Sequence, residues 1–136
     1  MPTNTLSKHE RLKSYTKIRA LFNAGHRMKQ FPLSIYYLFE DKKGVEGKSE
    51  VLHMGVTVGA RNFKRAVDRN QLKRRIREAY RLQKSELRAQ LETSSFTLDL
   101  FFVYADHQIA DYSVINVSVK KILAKLSEEL IVKQTL

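Results

Sequence analysis

Apolar and polar positions repeat with two different periods along this chain, and each change of period marks an element. In "SYTKIRALFNAG" (14–25), Ile18, Leu21 and Phe22 fall at i, i+3 and i+4, with Ser14 placed as an N-cap and Gly25 as a stop. That spacing predicts a short amphipathic helix. "PLSIYYLFE" (32–40) has a period of two, with Leu33, Ile35, Tyr37 and Phe39 on one strand face and Ser34, Tyr36 and Leu38 on the other. "LHMGVTVG" (52–59) sets Leu52, Met54, Val56 and Val58 against His53, Gly55 and Thr57, and Gly55 and Gly59 keep the second face thin. "TLDLFFVY" (97–104) is apolar on both faces in its second half, as a central strand would be.

The two remaining periodic stretches are helical. Projected at 100° per residue, Leu72, Ile76, Ala79, Tyr80, Leu87 and Leu91 gather on one side of a single long helix, which must dock on the sheet. Ile115, Val119, Ile122, Leu126 and Leu130 line a closing helix, capped by Asp111 or Ser113. The predicted order is α, β, β, α, β, α. "DKKGVEGKSE" (41–50) is polar with two glycines and reads as a flexible hairpin connection between the first two strands. The strands flanking the long helix imply a βαβ unit. No repeat, low-complexity tract or composition shift divides the chain, so residues 1–136 are expected to form one α+β domain, with residues 1–10 flexible.

Charge changes this picture. The chain carries 25 Lys and Arg against 14 acids, a formal +11, and residues 61–81 alone hold nine Lys and Arg against Asp68 and Glu78. Net charge of +7 in 21 residues calls for a polyanion or an anionic surface. On the long helix Asn70, Lys73, Arg74, Arg77, Arg81, Lys84 and Arg88 share an arc beside the apolar stripe, with Glu78 and Glu86 outside it. Like charges so crowded are costly until an anion relieves them, whereas a merely solvated face alternates its signs. A membrane-surface helix would need its apolar face free, but the sheet requires that face. No apolar run resembles a signal peptide or spans a bilayer, and cysteine is absent, which excludes disulfide and thiol chemistry. A soluble cytoplasmic protein with no membrane partner is expected.

Nucleic acid is the remaining polyanion. "GARNFKRAVDRN" (59–70) is a strand end and loop carrying Arg61, Asn62, Lys64, Arg65, Arg69 and Asn70 into a helix start, where backbone N–H groups also favour phosphate. The preponderance of Arg over Lys suits structured RNA, although composition alone does not separate RNA from DNA. His9, His26, His53 and His107 are scattered, with no metal-ligand spacing, and no nucleophile triad, P-loop or acidic pair for two metals stands out.

The string "ARNFKRAVDRNQLKRRIREAYR" resembles the signature of the bacterial ribonuclease P protein component. Ala66, Val67, Arg69, Asn70, Lys73, Arg74, Arg77 and Glu78 match it, and "RLKSYTKIRALFNAG", "LSIYYL", "MGVTVG" and "DLFFVY" resemble the family's opening helix and strands. The resemblance implies a ribosomal protein S5 domain 2-like fold with a left-handed βαβ crossover. It also implies a subunit of an endoribonuclease that binds the catalytic RNA and the 5′ leader of precursor tRNA, while the RNA, with Mg2+, cleaves one phosphodiester. By that resemblance Arg61, Lys64, Arg65, Arg69, Asn70, Lys73, Arg74, Arg77 and Arg81 would contact the catalytic RNA. Phe22, Ser34 and Tyr36, with Arg69 and Asn70, would contact the leader, and no obligate protein partner is implied. Three departures from the family stand out: Ile18 stands where a second aromatic is frequent, Lys64 where glycine is frequent and a positive-φ turn would be costly for lysine, and Ala60 and Asn62 flank Arg61 where a basic pair is common, which would shift one phosphate contact to Lys64 or Arg65. The competing reading is a basic structural RNA-binding protein, ribosomal-protein-like, with no part in cleavage.

Overall fold

A computed structural model describes residues 10–12, 15–42 and 50–135. Its elements are α1 (Tyr15–Ala24), β1 (His26–Gln30), β2 (Leu33–Asp41), β3 (Leu52–Thr57), α2 (Ala66–Gln83), α3 (Ser85–Thr93), β4 (Phe96–Tyr104) and α4 (Tyr112–Thr135). The strands form one sheet in the order β1-β2-β4-β3, with β1/β2 and β2/β4 antiparallel and β3/β4 parallel. The βαβ unit is therefore β3-α2-α3-β4, and β4 is the central strand its two apolar faces predict.

The α-β-β-α-β-α order is retained with two refinements and one correction. A five-residue edge strand precedes the first predicted one: β1, "HRMKQ", has too little apolar content to signal a strand, and its pairing with β2 supplies what its composition does not. The long helix is interrupted at Lys84, whose backbone stays right-handed helical (φ −74°, ψ −19°), so the apolar stripe keeps its phase from α2 into α3. The correction concerns the expected hairpin between "PLSIYYLFE" and "LHMGVTVG". β4 lies between β2 and β3, so those strands do not pair, and the hairpin of this fold is β1/β2. Local sequence cannot show a strand arriving from 40 residues downstream to take the central place. Residues 1–9, 43–49 and the predicted cap Ser14 lie outside the described residues. At α4 the Asp111 carbonyl accepts from the N–H groups of Val114 and Ile115, so Asp111 and not Ser113 occupies the cap position.

The sheet has a thick side and a thin side. On the thick side Leu33, Ile35, Tyr37, Leu52, Met54, Leu98, Leu100, Phe102 and Tyr104 pack against the predicted stripes of α2, α3 and α4, all buried. Slipping β4 by one residue would turn Leu98, Leu100, Phe102 and Tyr104 outward and drive Asp99 into this core. At about 1.5 kcal/mol or more per buried side chain the slip forfeits at least about 6 kcal/mol, which fixes the register. On the thin side a small cluster of Leu12, Leu21 and Phe101, flanked by Ile18, Tyr36, Leu38 and Val103, lies under α1. Gly25 ends α1 as predicted: its N–H donates to Leu21 O, and a Cβ there would come within 2.4 Å of that same oxygen.

Candidate nucleic-acid interface

One short helix cannot cover a four-stranded sheet, so the thin side remains a partly open cleft. Phe22 of α1, 40% exposed, meets Tyr36 of β2 edge to face at 4.5 Å and Phe101 of β4 at 5.3 Å. Phe101 in turn lies across Gly55 of β3, where a Cβ would be 2.5 Å from two ring carbons, so the glycine gives the ring its seat. Arg27 of β1 stands opposite Tyr36 in register, its guanidinium 5.7 Å from the Tyr36 ring centre, and its Nε donates to Ser34 Oγ at 3.3 Å. The arrangement is an aromatic surface with a cation against it, a chemistry suited to unpaired bases. Ser34 shares the Tyr36 face, as the alternation requires, but is 2% exposed and its hydroxyl is engaged by Arg27 and by the Met28 carbonyl. Its role in the structure is to hold Arg27 over the cleft.

The cleft continues to the β3 edge as a concavity of about 360 Å3 lined by Arg11, Leu12, Ile18, Met54, Gly55, Val56, Arg77 and Phe101. Residues 10–12 reach this edge as an extension of the sheet: Arg11 bridges Met54 in parallel, and Leu12 N–H donates to Met54 O at 2.7 Å. Arg77 projects into it from α2. Partial burial, and then the neighbouring Arg11 charge, hold the Arg77 pKa below the ordinary arginine value. Two guanidinium groups that repel each other across an apolar floor form a site that a phosphate would relieve.

The predicted basic arc divides accordingly. Arg61, Lys64 and Arg65 are exposed on the loop before α2, and Arg65 approaches Asp68 at 3.9 Å. Arg69 donates from Nη1 to the carbonyls of Phe63 (2.7 Å) and Lys64 (2.9 Å), so part of its guanidinium ties that loop to the helix. Lys64 adopts no positive φ, so lysine fits the position where the family often has glycine. Asn70 and Arg74 are exposed and line a second concavity with Val67, Gln71 and Arg75, while Lys73 is half-buried on the Arg77 side. Arg81 is not part of an unrelieved arc. Its Nη2 donates to Glu78 Oε1 at 2.6 Å, a bond that lowers the Glu78 pKa and raises that of Arg81.

The other two arc members predicted alongside these are also committed internally. Lys84 is fully buried against Glu10, and Arg88 pairs with Glu10, Glu50 and Glu92. The expectation that both acids stand apart from the basic face is thus corrected at Glu78, which the helix sets one turn from Arg81, close enough to reach it.

Sequence reasoning missed Arg11, Arg27 and Phe101. Arg27 was hidden because β1 was not recognised, and Arg11 because nothing local links residues 10–12 to β3. Phe101 was visible as the apolar second face of the central strand. His53 Nδ1 lies 3.0 Å from Asp99 Oδ1 across the parallel β3/β4 pair, on the thin side. Among the described residues no three His, Asp, Glu or Cys side chains come together to hold a metal ion, and no helix is long and apolar enough to cross a membrane.

Comparison with known proteins bears on this geometry. The family model for Ribonuclease P matches residues 6–127. The Ribonuclease P protein component of Porphyromonas gingivalis (strain W83) is 32% identical over 126 residues, covering 93% of this chain and 89% of that protein. That of Chlorobium phaeobacteroides is 38% identical over 84 residues, 62% of this chain and 57% of its own length. The solved structure of the Staphylococcus aureus RNase P protein superposes with a TM-score of 0.62 at 18% identity, covering 89% of this chain and 97% of that one, a likeness of fold. With nine-tenths of its length matched to the family at this identity, the chain belongs to the ribonuclease P protein family.

Proposed function

We propose that this chain is the protein subunit of a ribonuclease P holoenzyme and that it binds two RNAs with two surfaces. Arg61, Lys64, Arg65, Arg69, Asn70, Lys73 and Arg74, on the loop and first turns of α2, grip the catalytic RNA through phosphates. The cleft of Phe22, Tyr36 and Phe101, with Arg77 and Arg11 at its rim, takes the single-stranded 5′ leader of precursor tRNA. Arg77 moves from the first surface to the second on this reading, and Arg81 serves the helix itself. The observation that carries the assignment is the Arg77–Arg11 pair beside the Phe101 ring, which meets in turn Phe22, 40% exposed, and through it reaches the half-buried Tyr36, so that phosphate and base contacts lie along one cleft.

Cleavage belongs to the RNA on this reading, and the chain's part is to bind and position. The cleft rim is cationic, which does not favour a divalent cation held there by the protein alone. The Mg2+ expected for the holoenzyme is assigned to the RNA. The protein would act in the cytoplasm, where precursor tRNA is processed, and needs no further protein partner.

Adding the protein to a ribonuclease P RNA at low magnesium should restore precursor cleavage. No gain over RNA alone would favour the basic structural RNA-binding protein instead. Within the holoenzyme, Tyr36→Ala should weaken precursor binding by about 1–3 kcal/mol, the scale of one base stack, and leave mature tRNA, which has no leader, unaffected. Equal weakening of both tRNA forms by a folded variant would remove Tyr36 from the leader cleft.

A further inference from the structure

The cleft does not end at Tyr36. β1 alternates so that Arg27 and Lys29 share the thin side with Tyr36 and Ser34, while Met28 turns to the main core. Both cations are exposed, and no acid lies on this strand. Beyond Lys29, at the tip of the β1/β2 hairpin, Phe31 is 71% exposed. Arg27, Lys29, Phe31, Leu33, Ser34 and Ala105 enclose a concavity of about 340 Å3.

A large aromatic ring left in water on a mobile tip would carry little meaning, but this tip is fastened from two sides. Ser118 Oγ donates to Gln30 O at 2.7 Å from α4, and Ala105 N–H donates to Pro32 O at 2.8 Å from the end of β4. Asp106, next to Ala105 in the chain, accepts from the His107 N–H at 2.8 Å. Phe31 is therefore presented on a braced support beside two cations, and binding there requires little further ordering.

We infer that Arg27, Lys29 and Phe31 form a second nucleotide platform, which extends the leader track past Tyr36. The inference rests on the leader-cleft reading. Arg27 is the link, since it contacts the Tyr36 ring on one side and lines the Phe31 concavity on the other. Two residues along a strand cover about 7 Å, so a strand leaving Tyr36 along β2 meets Lys29, opposite Ser34, and then Phe31. Lys29 offers a phosphate contact and Phe31 a sequence-tolerant stack.

The test uses holoenzyme reconstituted with the catalytic RNA and precursor tRNAs whose leaders are shortened stepwise. Lys29→Ala/Phe31→Ala changes two exposed side chains and spares Arg27, which supports Tyr36. For the long leader, affinity should fall about tenfold. Once the leader is too short to pass Tyr36, the variant and the wild type should bind alike. Lys29→Arg/Phe31→Tyr should restore affinity, and a photoreactive base in the long leader should crosslink to the hairpin tip. Tyr36→Ala is measured in parallel. Leader-specific loss in Tyr36→Ala with none in the double variant overturns the platform alone. No leader-length dependence in either variant overturns the leader cleft and the platform with it. Weaker assembly with the catalytic RNA at every leader length assigns this surface to that RNA and also overturns the proposal.

Discussion

Lys84 Nζ lies 2.6 and 2.7 Å from the two carboxylate oxygens of Glu10, and the two side chains are 0% and 2% exposed. This buried pair fastens residues 10–12 to the α2/α3 junction. It thereby holds Arg11 beside the cleft that Arg77 enters from the same helix system.

Removing one member of a buried pair costs far more than removing both. Glu10→Ala takes from Lys84 the carboxylate that neutralises it and should destabilise the protein by about 3–5 kcal/mol, read as a lower urea midpoint. Glu10→Leu/Lys84→Met, apolar at both positions, should recover most of that loss. A Glu10→Ala protein as stable as wild type would show that the pair is not held together in solution.

Arg77→Ala and Arg74→Ala should separate the two RNA surfaces. Arg77→Ala is expected to weaken precursor binding and spare both mature tRNA binding and holoenzyme assembly. Arg74→Ala should weaken assembly for every substrate, since phosphate contacts carry no sequence information. Each variant should flatten the salt dependence of its own equilibrium by about 0.7–0.9 in log–log slope, the contribution of one phosphate contact. If Arg77→Ala impairs assembly and not leader binding, Arg77 belongs with Arg74.

Gly55→Ala tests the seat of Phe101. The added methyl would lie 2.5 Å from ring carbons, so the ring must move and disturb its contact with Phe22. Overpacking of this kind costs about 1–3 kcal/mol. A lower melting temperature together with weaker leader binding is expected. Unchanged values for both would mean that Phe101 has other room.

Alkaline stability should depend on Tyr37. Burial first, and then the hydrogen bond it donates to Glu129 and that carboxylate's charge, raise its pKa from 10.0 to about 12. The folded-state pKa lies above the unfolded one, so this contribution is complete below pH 10 and is lost as pH rises through about 12. At about 1.4 kcal/mol per unit it amounts to roughly 2–3 kcal/mol. Burial raises Tyr80 and Tyr104 as well, which steepens the same window. Urea midpoints measured across it should fall less steeply for Tyr37→Phe, and an unchanged slope would discount the Glu129 bond.

The basic signature was the most legible part of the site. Arg61, Lys64, Arg65, Asn70 and Arg74 needed only a loop entering an amphipathic helix to be read as exposed, and they are exposed. Arg81, Lys84 and Arg88 carry the same charge in the same arc but are consumed by Glu78, Glu10, Glu50 and Glu92. Only Glu78 and Glu92 among those acids lie within a helical turn of their partners, so only they could have been paired from spacing.

The sequence by itself determined which faces are apolar, because period two and period 3.6 assign each side chain to a side before any element meets another. Ile35 and Tyr37 on one face of β2 and Tyr36 on the other follow from that, as do the buried stripes of α2, α3 and α4. Tertiary structure alone decided what those faces meet. It placed β4 between β2 and β3, joined residues 10–12 to the β3 edge, and made a strand of "HRMKQ" by pairing it with β2. Each of these is a hydrogen-bonded or ionic contact between residues distant in the chain or lacking an apolar pattern, and local periodicity carries no signal for such contacts.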